Sequence, residues 1–197
     1  MVSYEDAERF TYMSNGILTT EEFRKQNIGK FHIKKLIQNE IIERYERGVY
    51  LRFDIIEDEY YILQKKNPSI IFSFNTAMYF HDEAERTPMK TDITIYSGYN
   101  AKHLPKNINI HYVKKEKLQL GAMIIKTPFG FEVTTYDKER IFCDLVMNKE
   151  NRLEKEYVNK YLRTVLLYKR VDSIKLMNYA KLMGCEKKVR DLIEVFM

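Results

Sequence analysis

Between Gly16 and Phe53 the chain reads "GILTTEEFRKQNIGKFHIKKLIQNEIIERYERGVYLRF", and few folds accept that run. Thr19 followed by Glu22 is a capping box, in which the threonine hydroxyl accepts from the third backbone N–H of a helix and the glutamate reaches back to the cap. A short helix therefore begins near Thr20. It cannot pass Asn27-Ile28-Gly29, where the glycine is expected to take a positive φ. From residue 30 to about 39, Ile33, Leu36 and Ile37 recur at helical spacing, with Ile41 one turn on, and define a core stripe. At about 100° per residue, Phe31, Lys34, Lys35 and Gln38 project to the opposite side, with His32 at the margin. Two β-rich runs around Glu46-Arg47-Gly48 then predict a hairpin. Upstream, Tyr4 to Met13 carries one helical face and stops at the Ser14-Asn15-Gly16 turn signal.

Helix, helix, turn, helix and hairpin in that order predict a winged helix-turn-helix, whose third helix enters the major groove of DNA while the wing follows the backbone. The charge agrees. The whole chain carries only +5, but within residues 24–52 there are 8 basic side chains against 3 acidic ones. Lys30, Phe31, His32, Lys34, Lys35, Gln38, Arg44, Arg47 and Arg52 are the candidate DNA contacts. Lys34 and Gln38 suit base edges, Phe31 suits a thymine methyl, and the arginines around the hairpin suit phosphates, which fix register without reading sequence. The same features also fit a protein-docking module or a solvated basic face.

The expected fold class is α+β: an N-terminal winged helix-turn-helix over residues 1–58, then a mixed α/β domain with a small sheet and a helical C-terminus over 59–197. Residues 68–81 predict a helix; "DITIYS", "INIHYV", "AMIIKT" and "FEVTTY" predict strands; helical spacing dominates from residue 137. The opening "MVSYEDAERF" has neither the basic nor the apolar segment of a signal or transit peptide, and no run approaches the roughly 18 apolar residues of a membrane span. A cytoplasmic protein without a membrane partner is expected. Cys143 and Cys185 have no companions at metal-ligand spacing, so buried thiols are expected rather than a disulfide framework or a zinc site.

The run from "GILTTEEF" to "ERGVYL" resembles the N-terminal winged-helix domain of the AbiEi antitoxin family of type IV, abortive-infection toxin–antitoxin systems. The wing match, Glu43-Arg44 to Arg47-Gly48-Val49-Tyr50, is its most specific part. Further on, "SIIFSFNTAMYFHDEAERTP", "DITIYSGYN" and "TPFGFEVTTYDKERIFCDLV" look like the segments that follow the wing in that family. Two positions depart from its pattern: Asn39-Glu40 stands where a glycine often separates the basic helix from the wing, and Ile141 stands where a threonine follows Glu139-Arg140. The resemblance implies an autorepressor that binds inverted repeats in its own promoter, with room for cooperative self-association on that double-stranded DNA. It also implies antagonism of a cognate nucleotidyltransferase-like toxin, without need of a stable complex. The runner-up is a winged-helix regulator with a ligand-sensing C-terminal domain.

No catalytic residue, metal or cofactor is expected. Asp137, Glu139, Arg140 and Asp144 cluster, but Arg140 and Asp144 are an i, i+4 pair on one helix and Asp137 suits its N-terminal end. His81-Asp82-Glu83 point in different directions if helical, and His103 and His111 have no companion at ligand spacing. A metal-dependent nuclease would need carboxylates such as Asp92 and Glu132 together, and the residue two beyond Glu132 is Thr134 rather than a lysine. In the C-terminal helices, Lys160, Arg163, Lys169, Arg170, Lys181, Lys187 and Lys188 are candidates for a partner surface toward the toxin, an RNA or further DNA. A stripe of Tyr157, Tyr161, Leu162 and Val165 is expected to be core.

Overall fold

A computed structural model of the chain describes residues 2–84, 86–147, 155–168 and 170–196, with the side chains of 155–157 and 196 left aside. The chain is a mixed α+β protein that divides into two compact units, Met1–Pro68 and Ser69–Met197. No helix among the described residues is long and apolar enough to cross a membrane.

In the first unit the chain forms α1 (Tyr4–Met13), β1 (Ile17–Thr19), α2 (Thr20–Lys25), α3 (Lys30–Gln38), β2 (Ile42–Glu46), β3 (Val49–Arg52) and α4 (Glu59–Lys66). The strands make an antiparallel sheet in the order β1-β3-β2. The predicted capping box starts α2: Glu22 N–H donates to Thr19 Oγ1 at 3.2 Å, and Thr19 N–H donates to the Glu22 carboxylate at 2.8 Å. Ser3 and Asp6 start α1 in the same way. Ala7, Leu18, Phe23, Ile28, Ile33, Leu36 and Ile42 fill one core. At its centre the Phe23 ring meets Phe10 and Tyr50 edge-on, with centroids 5.8 and 5.6 Å away.

Two details of the turn helix differ from expectation. The positive φ falls on Asn27 (57°), not on Gly29, which takes φ −80° as the N-cap of α3. Asn27 N–H reaches Arg24 O and Ile28 N–H reaches Phe23 O, so α2 ends in a Schellman motif sealed by the buried Phe23 and Ile28. Asparagine tolerates the left-handed region, which frees the glycine from that task. Ile37 is 36% exposed rather than core, because α3 ends one residue later and the stripe turns past the edge of the packed surface.

Glu40 closes α3 in the same fashion, at φ 55°, with Ile41 N–H bonded to Leu36 O at 3.0 Å. A side chain in the left-handed region costs about 1–2 kcal/mol, partly offset by the rigidity it gives the unfolded chain. Glu40→Gly is expected to stabilise the unit by about 0.5–1 kcal/mol and raise Tm by roughly 2–5 °C, read by thermal unfolding. An unchanged or lower midpoint would contradict this account of the turn.

The division falls one helix later than expected, because α4 belongs to the first unit. Asp58 caps it by accepting from Tyr61 N–H at 3.0 Å. Lys65 pairs with Glu22 at 2.9 Å and donates to Ile17 O, and Lys66 pairs with Glu46 at 2.8 Å.

The second unit holds β4 (Ile71–Phe72), α5 (Phe74–Phe80), β5 (Thr91–Tyr96), β6 (Ile108–Val113), β7 (Ala122–Lys126), β8 (Glu132–Tyr136), α6 (Lys138–Met147), α7 (Lys155–Leu167), α8 (Ser173–Met183) and α9 (Glu186–Phe196). Its mixed sheet runs β6-β5-β4-β8-β7, with β4/β8 and β5/β6 parallel. Residues 68–81 are thus not one helix: they spend Ile71 and Phe72 on the central strand, and α5 begins only after Ser73. Tyr161, Leu162 and Val165 are buried as expected; the side chain of Tyr157 lies outside the described residues. Cys143 and Cys185 are buried free thiols.

The largest fully buried side chain among the described residues is a charged one, Arg140 on α6. Its Nε donates to both oxygens of Asp144 at 3.0 and 3.1 Å, and its Nη1 donates to the carbonyls of Lys117 and Leu120 at 2.8 Å. The guanidinium also lies 4.2 Å from the Tyr136 ring centroid. Gly121 permits this approach: at φ 78°, an added Cβ would stand 2.6 Å from Arg140 Cβ.

Candidate functional site

On α3 the two buried residues, Ile33 and Leu36, set the inward direction, so the helical period turns Phe31, Lys34, Lys35 and Gln38 outward. All four are exposed, Phe31 by 73%. An apolar ring so exposed on a short polar face is the least expected feature of the unit. Lys30 is also exposed, at a helix N-terminus whose cap, Gly29, offers no side chain to the first N–H groups. His32 is half-buried, edge-on to Phe31 at 5.5 Å, and its buried Nδ1 has no hydrogen-bond partner. Lys35 is partly engaged: its ammonium lies 4.3 Å from the Tyr4 ring centroid, while the Tyr4 hydroxyl accepts from Asn39 Nδ2 at 2.7 Å. These contacts tie the start of α1 to the end of α3.

The hairpin β2–β3 turns at Gly48 (φ 82°), and its register slips between Arg44 and Glu46, leaving Tyr45 as a 40% exposed bulge. Arg44 and Arg47 are exposed. Lys66 neutralises Glu46 nearby, and among the described residues Lys30, Lys34, Arg44 and Arg47 have no ion-pair partner. Arg52 does not join them. Its guanidinium pairs with Asp54 and its Nη1 donates to the carbonyls of Thr11 and Tyr12, so it closes the C-terminal end of α1 instead of facing solvent. The expectation that Arg52 contacts DNA is corrected on that ground.

The candidate partner residues of the second unit do not form a uniform surface. Arg163, Lys181, Lys187 and Lys188 are exposed on α7, α8 and α9, and Lys160 is exposed but already engaged. Arg170 is occupied by Glu83 at 2.7 Å, and Lys169 lies outside the described residues.

A different cluster emerges there that sequence spacing did not reveal. β5 and β6 pair in parallel with Asp92 beside Asn109 and Thr94 beside His111, so these four side chains share one face of the sheet. His111 Nε2 donates to Asp92 Oδ1 at 2.8 Å, and the imidazole stacks on Phe74 with centroids 3.9 Å apart. Phe74 takes φ 46°, a region that a bulky side chain rarely adopts. Thr94, His111, Phe74, Arg140 and Asp144 all line one cleft of about 450 Å³. Burial pushes the Asp144 carboxyl above its ordinary range, opposed by Arg140. The readable signal was the alternation "DIT" and "NIH", which sets polar groups on one face of an otherwise apolar sheet.

Asp92 and Glu132, the carboxylates a metal-dependent nuclease would need, stay apart. Phe72 pairs with both Ile93 and Thr135, which leaves Asp92 at one end of the central strands and Glu132 at the other. In "HDE", His81 caps α5 and donates to Tyr136 O at 2.8 Å, Asp82 takes φ 56°, and Glu83 accepts from Lys138 and Arg170.

No known protein family matches the chain, and no curated protein does. Among solved structures it is similar to the crystal structure of the RV2827C protein from Mycobacterium tuberculosis, with a TM-score of 0.58 over 95% of this chain and 79% of that chain at 10% identity. At so low an identity the likeness concerns the fold alone, a mixed α+β architecture that both chains share.

Proposed function

We propose that residues 1–68 are a winged helix-turn-helix that binds double-stranded promoter DNA, with α3 in the major groove and the β2–β3 hairpin as the wing. The carrying observation is the outward face of α3, where an exposed Phe31 stands among Lys34, Lys35 and Gln38. The order α1-β1-α2-α3-β2-β3, with β3 central in the sheet, supports the same reading. In it, Gln38 and Lys34 reach base edges, Phe31 meets a thymine methyl, and Lys30, Arg44 and Arg47 hold phosphates. Lys35 and His32 flank the face.

The protein then represses its own operon and neutralises a nucleotidyltransferase-like toxin encoded beside it; this half rests on the sequence resemblance to AbiEi antitoxins. Co-expression with the adjacent reading frame is its test. Restored growth is the expected result, and a neighbouring frame that is harmless on its own would sink it.

For the DNA half, binding to its own promoter should weaken with salt as expected for roughly 4 to 6 phosphates at about −0.9 each, read by fluorescence anisotropy. Gln38→Ala should cost about 1–3 kcal/mol on the cognate site and little on random DNA. Equal losses on both would show that Gln38 positions the protein and does not read a base.

A further inference from the structure

β6 is a terminal strand of its sheet: β5 pairs with one edge, and among the described residues no strand pairs with the other. The backbone N–H and C=O groups that point away from β5 are a template for another strand. A cleft of about 450 Å³ runs along that edge. Side chains alternate between the two faces of a sheet, so a cleft on one face would meet only every second residue. Here Ile110, His111, Tyr112 and Val113 line the cleft in succession, which is possible only where it passes over the strand edge itself. Across from the edge stand Met147 of α6 and Met183 of α8, flexible apolar side chains that adapt to what is laid against them.

The charge around the edge narrows the kind of strand that fits. Residues 102–117 hold five lysines and one glutamate. Lys106 precedes β6, while Lys114, Lys115 and Lys117 follow it, and none of the four has an ion-pair partner among the described residues. Asp144, the carboxylate on the cleft wall, is already held by Arg140 Nε. A second copy of β6 would bring these lysines against their own kind, which disfavours self-pairing. A nucleic acid would meet the lysines but leave the backbone edge and the two methionines unused. An acidic strand engages all three.

We propose that the β6 edge receives an extended acidic segment of a partner protein, added to the five-stranded sheet as one further strand. Its backbone bonds to β6, alternate apolar side chains pack against Met147 and Met183, and its carboxylates lie beside Lys114 and Lys117. The site falls wholly within residues 69–197 and does not depend on DNA binding.

The test uses the full chain without DNA, so its failure leaves the reading of residues 1–68 untouched. The probe is a blocked peptide of 6 residues, the length of β6, alternating valine with glutamate. One counterpart replaces glutamate by lysine. Two others carry N-methyl groups on alternate amides of the acidic peptide, each blocking one of its edges. Fluorescence anisotropy reads binding, and amide hydrogen exchange reads its place. The expected result is saturable binding of the acidic peptide below about 1 mM and binding at least about tenfold weaker for the lysine peptide. One N-methylated version should fail and the other bind, since an added strand bonds through a single edge. Exchange should slow within Ile108–Val113 and stay unchanged within Ala122–Lys126, the opposite edge of the sheet. Lys114→Glu with Lys117→Glu should weaken binding of the acidic peptide about tenfold or more. A uridine RNA oligonucleotide is the competing polyanion. Four results would overturn the proposal: no binding of the acidic peptide at that concentration, equal binding of both N-methylated versions, slowed exchange outside β6, or tighter binding of the RNA than of the peptide at this edge.

Discussion

Arg140→Ala is expected to cost about 3–5 kcal/mol, because it leaves Asp144 as an uncompensated charge in the core of the second unit. Against the ~5–15 kcal/mol that holds a typical domain together, this loss can unfold the unit outright. Asp144 accepts two of the guanidinium's hydrogen bonds, and the carbonyls of Lys117 and Leu120 accept two more, so four acceptors lose their donor at once. Arg140→Lys should recover only part of the loss, since an ammonium cannot span Asp144 and both carbonyls with the geometry of a planar fork. Replacing the pair together, Arg140→Met with Asp144→Leu, removes the stranded charge and should be milder than Arg140→Ala alone. Urea unfolding followed by circular dichroism reads all three; an Arg140→Ala midpoint equal to that of the wild type would show that the network contributes nothing net.

The second large effect concerns α3 and the hairpin. Lys30→Glu with Arg47→Glu should reduce affinity for promoter DNA about 100-fold or more at ~0.1 M salt, since each lost phosphate contact is worth about tenfold there. The salt slope should fall by about 1.8 for the two contacts. Both side chains are exposed and without ion-pair partners among the described residues, so the fold should survive the change. Reversing Lys102 and Lys106, exposed in the second unit, alters net charge equally and serves as the control. If both double variants bind alike, net charge matters and the α3 face does not; if neither weakens binding, the proposed DNA interface is wrong.

The features of the first unit that local chemistry dictates were legible in the residues. A capping box names its own helix start, and a nine-residue amphipathic helix declares its outer face, so local spacing alone places Phe31, Lys34 and Gln38 outward. What escaped depended on competition between near-equivalent choices or on distant partners. Asn27 and Gly29 both tolerate turns, and only the hydrogen bonds back to Phe23 and Arg24 decide which takes the left-handed φ. Arg52 looked like another wing cation, yet the carbonyl ends of α1, some forty residues earlier, claim it. Ile71 and Phe72 read as part of a helix, because two residues in a central strand are too few to show a period. His111 seemed isolated until parallel pairing of β5 and β6 brought it to Asp92, a neighbour that no spacing along the chain announces.

The lysines of α4 also determine where this chain can be cut. A fragment ending at residue 58 looks complete by element count, since it contains every strand and helix that would face DNA. It would nevertheless lose Lys65, leaving the half-buried Glu22 of the capping box without its cation, and would lose the clasp of Lys66 on the hairpin. Ending at residue 68 retains both, so the longer piece is the one expected to give a well-dispersed spectrum in isolation. A helix outside the proposed DNA face thus defines the smallest autonomous form of the first unit.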